Sequence, residues 1–206
     1  MNRVFAICLL CLIAHPPPAA TAADSEADQG PTSVVNGLVE AVGVLSRGVQ
    51  QGEVFDKSIK EISKRLDIQG VSRRCLGKHW DTIGKAEQKV FRELFARVLE
   101  EIAFPKSSKF FKGTEIEIDE ETVEDTKARV LTSVIHPDEG LIEVEYALEK
   151  NGGKWLIVDV VLDGVSLVRD LRSQMAKIIR EESFEALKSR LRDKLEEEGI
   201  KGSSKR

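Results

Sequence analysis

The stretch from Asn151 to Arg172 constrains the fold more than any other in this chain. Asn151-Gly152-Gly153 is a strong hairpin turn, because a two-residue connection between strands needs backbone that only glycine and a few polar residues adopt easily. An apolar run, Lys154 to Leu162, follows it. Asp163-Gly164 then makes a second tight turn, and Ser166 is placed to cap a helix that buries Leu167, Val168, Leu171, Met175, Ile178 and Ile179. The run is apolar on both of its faces near Leu162, which predicts a central strand covered from two sides.

Upstream the pattern has period two. Thr114 to Ile118 alternates strictly, and Lys127 to Ile135 and Leu141 to Leu148 are two further strands. Short turns make the last strands antiparallel. Before them the period is helical. Thr32 or Ser33 can cap a helix carrying Val34, Val35, Leu38, Val42 and Leu45, and Val54–Arg65 and Asp67–Leu76 form two more. Lys85 to Phe104 is the clearest helix, with Phe91, Leu94, Phe95, Leu99 and Ile102 on one face, and Pro105 is expected to stop it. Ser183 caps a last helix ending at Gly199. Helices, then strands, then helices predict an α+β fold.

The N-terminus reads as a targeting segment. Arg3 precedes the apolar run Val4–Ala14, and Ala20-Thr21-Ala22 fits a cleavage site, which predicts a signal peptide over residues 1–22 and an exported chain. A leader over 23–31, a domain over 32–198 and a disordered tail over 199–206 complete the expected organisation. No later run is long and apolar enough to span a bilayer. Without Arg3 the 31 basic residues become 30, against 35 acidic ones. That balance argues against nucleic acid and against general adhesion to anionic membranes. Cys75 is the one cysteine left after processing, so no disulfide forms within the mature chain. It reads as a small buried hydrophobe, with pairing between two chains as the alternative.

Catalytic patterns fail on inventory. Cys75 and His79 lie four apart, but two ligands do not complete a zinc site. The acidic run Asp119–Asp125 lacks the spacing of a calcium loop and reads as a solvated turn. The basic residues between Lys57 and Lys78 are interspersed with Asp56, Glu61 and Asp67, as on a solvated helix face. Asp159 and Asp163 invite an acid–base role. The structural alternative is that Asp163 makes the turn while Asp159 meets Arg169 or Arg172.

Two motifs give the chain a family likeness. Cys75-Leu76-Gly77-Lys78-His79-Trp80 fits a Leu-Gly-x-x-Trp pattern. Trp155, Val158, Asp159, Asp163-Gly164-Val165-Ser166-Leu167-Val168 and Arg172-Ser173-Gln174 fit a Trp-x-Val-x-Asp-x-x-x-Asp-Gly-x-Ser-Leu-x-x-x-x-Arg-x-Gln pattern. With Glu87–Phe91 as a looser third piece, the chain resembles the MlaC, or toluene-tolerance, family over roughly Val34 to Leu195. It departs from that family at Ile102–Pro105, where a tyrosine is usual, and at Leu171 and Met175, where aromatic residues are usual.

The resemblance implies a non-enzymatic periplasmic carrier of phospholipid, with hopanoid-associated relatives. It implies a cystatin- or NTF2-like antiparallel sheet of four to five strands, wrapped by N- and C-terminal helices around an apolar cavity. The implied partners are an inner-membrane ABC transporter with its lipid-binding ring and an outer-membrane lipoprotein–porin complex. A monomer is expected, with lipid as the ligand and no metal or other cofactor.

Exposing the ~30 methylenes of a two-chain lipid would cost on the order of 20 kcal/mol, so a carrier must enclose them. Phe95, Leu99, Ile102, Val144, Tyr146, Trp155, Val158, Leu167, Leu171 and Met175 are the expected lining. Asp159, Asp163, Gly164, Ser166 and Arg172 are expected to hold the strand-to-helix corner, with Asp159 tying down Arg172. An interaction or chaperone-like module with a filled core, and a hydrolase or isomerase using Asp159 or Asp163, are the alternatives.

Overall fold

The structure is a computed structural model and describes residues 30–48 and 51–198; the expected signal peptide, most of the expected leader and the expected tail lie outside the described residues. Three helices open the fold: α1 (Pro31–Ser46), α2 (Glu53–Arg65) and α3 (Ile68–Leu76). The N-cap of α1 is Gly30, with Pro31 in the first turn, where its missing N–H costs nothing. Thr32, an expected cap, instead donates from its backbone and hydroxyl to Glu121. Asp67 caps α3 by accepting from Gly70 N–H at 2.9 Å.

Pro105 does not end the long helix. After α4 (Lys85–Val98) the backbone widens into a π-turn over Leu99–Ala103 and runs on as α5 (Phe104–Phe110). The Phe104 N–H reaches back five residues to the Leu99 carbonyl. This wider turn breaks the regular ladder just ahead of Pro105, so the proline sits in the opening turn of a new helix.

Five antiparallel strands follow in spatial as well as chain order: β1 (Glu115–Glu124), β2 (Lys127–His136), β3 (Gly140–Asn151), β4 (Lys154–Leu162) and the short β5 (Val165–Ser166). Of the acidic run expected to be a turn, only Asp125, at φ 52°, turns; the rest is the second half of β1, resumed after a bulge at Asp119. Gly152 and Gly153 have φ of 57° and 85°, and Asn151 pairs with Lys154, so the hairpin loop is two residues long. Asp163 and Gly164, at φ 45° and 79°, repeat the device between β4 and β5.

β4 is not central. Only the two residues of β5 lie beyond it, and its apolar character comes instead from contact with α1, α2, α3 and the following helix, α6 (Leu167–Glu181). α7 (Phe184–Glu197) packs on α4 and α6.

Beside a small cluster of Leu94, Ile102 and Leu195, two large apolar clusters result. One joins α1 and α2 to the sheet through Val35, Leu38, Ile62, Val130, Val144 and Ile157. The other joins α3, α4, α6 and α7 through Cys75, Leu76, Trp80, Phe91, Phe95 and Leu187.

Candidate functional site

Between the two clusters lies a cavity of about 240 Å³. Its floor is the sheet: Ile116 of β1, Val144 and Tyr146 of β3, and Ile157 to Val160 with Leu162 of β4. Leu38, Val39 and Val42 of α1 and Ile62 and Leu66 at the end of α2 form one side. Val71 and Phe95 contribute from the helical cluster, and Leu167, Val168 and Leu171 from the start of α6. The π-turn closes the remaining side. By adding a residue to the turn it aims Leu99, Ala103, Phe104 and Ser107 inward in succession, where an unbroken α-helix would drift away. Leu167, 40% exposed, and the exposed Ser107 both belong to the wall, so the cavity meets solvent at the α6 N-terminus and beside α5.

Seven of the ten expected lining residues stand in this wall: Phe95, Leu99, Val144, Tyr146, Val158, Leu167 and Leu171. Three do not. Ile102 turns the other way along the π-turn and packs with Leu94 and Leu195. Trp155 lies buried at the far end of β4, under Lys150, whose Nζ is 5.7 Å from the ring centroid. Met175 fills the helical cluster one turn past Leu171. The α1, α2, α5 and β1 contributions were not expected from the sequence. A helical stripe shows which face is buried, but not whether that face meets side chains or empty space.

The corner is built by its aspartates, with different partners from those expected. Asp159 Oδ1 accepts from Val160 N–H at 2.9 Å and from Val168 N–H at 3.1 Å, while Oδ2 accepts from the Ser166 hydroxyl at 2.5 Å. Ser166 Oγ in turn accepts from Arg169 N–H. A carboxylate thus sits at the α6 N-terminus, where the helix dipole favours it. Asp159 does not tie down Arg172, whose Cδ lies 3.0 Å from where a Cβ on Gly77 would be. Gly77 has φ 54°, so its backbone favours glycine, and a Cβ there would also press on the Arg172 side chain. Asp163 holds the turn and accepts from Glu143 N–H at 3.1 Å.

Polar groups on the cavity wall are few. Asp159 has its oxygens occupied as described. Burial pushes the Tyr146 phenol up to about 12, against the pull of a hydrogen bond with Thr132, so it stays neutral. Among the described residues no cluster of His, Cys, Asp and Glu could hold a metal ion.

Cys75 is fully buried beside this corner. Burial and then the Asp159 charge push its thiol up from 9.0 to about 12, with Arg172 opposing them weakly. The native thiol is therefore protonated and shielded. Iodoacetamide at pH 8 is expected to label Cys75 only in denaturant; labelling of the native protein at the rate of a free thiol would contradict the packing. The same shift sets a sign for stability. Above pH 9 the unfolded thiol ionises first and the unfolded state binds fewer protons, so stability falls as pH rises, by on the order of 1 kcal/mol by pH 10.

Comparison with known proteins gives a family match and several structural ones. A family model described as MlaC protein matches residues 40–193. Among solved structures, a phospholipid-binding protein from Ralstonia solanacearum, in complex with a phospholipid, superposes with a TM-score of 0.67 at 16% identity. The match covers 82% of this chain and 96% of that one, and at this identity the likeness is one of fold. No curated protein matches this sequence.

Proposed function

The chain belongs to the MlaC family, and from that premise we propose that it is a periplasmic lipid carrier which encloses acyl chains in the cavity between its two clusters. The observation that carries the reading is the cavity itself: about 240 Å³, walled almost wholly by aliphatic and aromatic side chains. A filled core would have left the wall residues in contact with one another. Branched and aromatic walls whose one carboxylate, Asp159, is already hydrogen-bonded suit flexible chains, which need enclosure and no particular hydrogen bond. The phospholipid bound by the structural neighbour supports the same class of ligand.

Binding accounts for the site without chemistry. Asp159 and Asp163 are engaged in holding the corner, as hydrogen-bond acceptors for backbone and Ser166. No helix among the described residues is long and apolar enough to cross a membrane. The protein then acts as a shuttle, taking lipid between the outer-membrane complex and the inner-membrane transporter on which members of its family are expected to dock.

A transfer assay tests the reading. Donor vesicles containing a quenched fluorescent phospholipid are mixed with acceptor vesicles, and the rate of dequenching is followed as protein is added. The carrier reading expects a rate that rises in proportion to protein concentration and at least tenfold above spontaneous transfer. A rate indifferent to protein favours the interaction module.

A further inference from the structure

On the reading that this cavity is the lipid site, we propose that α5 is its gate and His136 the latch, so that protonation of His136 frees α5 and speeds the exit of lipid. His136 ends β2 and is buried, and its ring uses both nitrogens. Nδ1 accepts from Asp138 N–H at 3.1 Å and from Glu139 N–H at 3.0 Å. Nε2 faces the Phe110 carbonyl at 3.0 Å and donates to it. These partners require a neutral ring with its proton on Nε2. The ring also stacks on Phe110, with centroids 4.6 Å apart.

One side chain thus joins the β2–β3 turn to the last residue of α5. Phe104 and Ser107 of α5 stand in the cavity wall, and so does Phe111, which follows it. The other end of α5 begins at the π-turn, an irregularity at which helices bend. A hinge therefore lies at one end of this part of the wall and the latch at the other. α5 also packs on α1 and reaches Glu198 through Lys106, so freeing the latch loosens the segment without unfolding it.

A proton on Nδ1 points at two N–H groups. Pro137 and the His136–Gly140 pairing hold the turn, whereas the ring needs only a rotation about its own side-chain bonds. The ring gives way, and in leaving the turn it withdraws Nε2 from Phe110. The open state binds a proton for which the latched state has no room, so acid shifts the population towards opening. Phe110 is 42% exposed, so water reaches the site once the stack parts. The charged groups on the adjoining elements are Asp138 and Glu139 of the turn, Glu115 opposite Ile135 on β1, and Lys109 and Lys112 beside Phe110 and Phe111. Side chains of these types ordinarily keep their charge between pH 5 and 8, where histidine changes its own.

Protein loaded with NBD-labelled phosphatidylglycerol is mixed with excess phosphatidylcholine vesicles carrying a quencher, and the release rate is read at pH 7.5 and at pH 5. The wild-type rate is expected to rise at least fivefold on acidification, and the rate in His136→Gln to change less than twofold. His136→Phe, which takes no proton and keeps a ring on Phe110, serves if the glutamine variant does not fold. His79→Gln is expected to keep the full response. Hydrogen exchange, corrected for its intrinsic pH dependence, is expected to show the amides at the α5 C-terminus losing protection at pH 5 in the wild type and changing little in His136→Gln.

Equal wild-type rates at the two pH values overturn this proposal and leave the carrier reading intact. So does an equal acceleration in His136→Gln, a response lost with His79, or faster release with α5 still protected. A protein that cannot be loaded overturns the carrier reading and this proposal with it.

Discussion

Replacing Ala103 with tryptophan leaves the protein folded and abolishes lipid uptake. Ala103 lies on the π-turn, half-buried, with its methyl group on the cavity wall. An indole at this position enters existing space, so the overpacking cost of a filled core, about 1–3 kcal/mol, is largely avoided. The ring displaces on the order of six methylenes of any bound chain. At about 0.8 kcal/mol per methylene the gross loss is on the order of 5 kcal/mol, more than a thousandfold in affinity. Thermal unfolding together with lipid titration of the purified variant checks both halves. Unchanged affinity in a folded A103W protein would place the ligand elsewhere.

The second large effect is on stability. Asp159→Ala removes the acceptor for the Ser166 hydroxyl and for two backbone N–H groups, one of them at the start of α6. Hydrogen bonds to a charged acceptor contribute about 1.5–3 kcal/mol each but do not add fully, and the orphaned donors retain part of their solvation cost. The expected loss is about 3 kcal/mol. In a domain of this size that lowers Tm by roughly 6–12 °C. Asp159→Asn keeps an oxygen for one donor set and is expected to lose about half as much. A change below about 1 kcal/mol in the alanine variant, read from urea unfolding, would mean that the corner is held by packing alone.

The two variants separate the jobs of neighbouring parts. One changes the space and spares the frame, and the other weakens the frame without filling the space.

The parts of this architecture legible in the sequence are those decided locally. Gly152-Gly153 and Asp163-Gly164 have the residues that two-residue turns demand, and both turns are where the sequence puts them. Ser166 and Ser183 are caps in the structure as expected. Period-two spacing in β3 puts Val144 and Tyr146 on one face, and both stand on the cavity floor.

The features that were missed depend on distant partners. The apolar run of β4 is the same whether strands or helices cover it, so its place next to the sheet edge was not readable. Pro105 normally marks a helix end, and only the π-turn before it makes the continuation possible. That turn rotates Ile102 away and brings Phe104 and Ser107 in, which no regular period would show. Trp155 matches a family motif, but its place is a packed hairpin end. Asp159 was recognised as structural. Its partners are the Ser166 hydroxyl and backbone N–H groups rather than Arg172, and a sequence gives backbone groups no address.

Native mass spectrometry of the protein isolated from the periplasm of its own cells, without detergent, tests the central claim most directly. The account predicts a population one lipid heavier than the bare chain, which collapses to the bare mass in the A103W variant. A native protein that flies at its bare mass, and gains none after incubation with phospholipid vesicles, would contradict it.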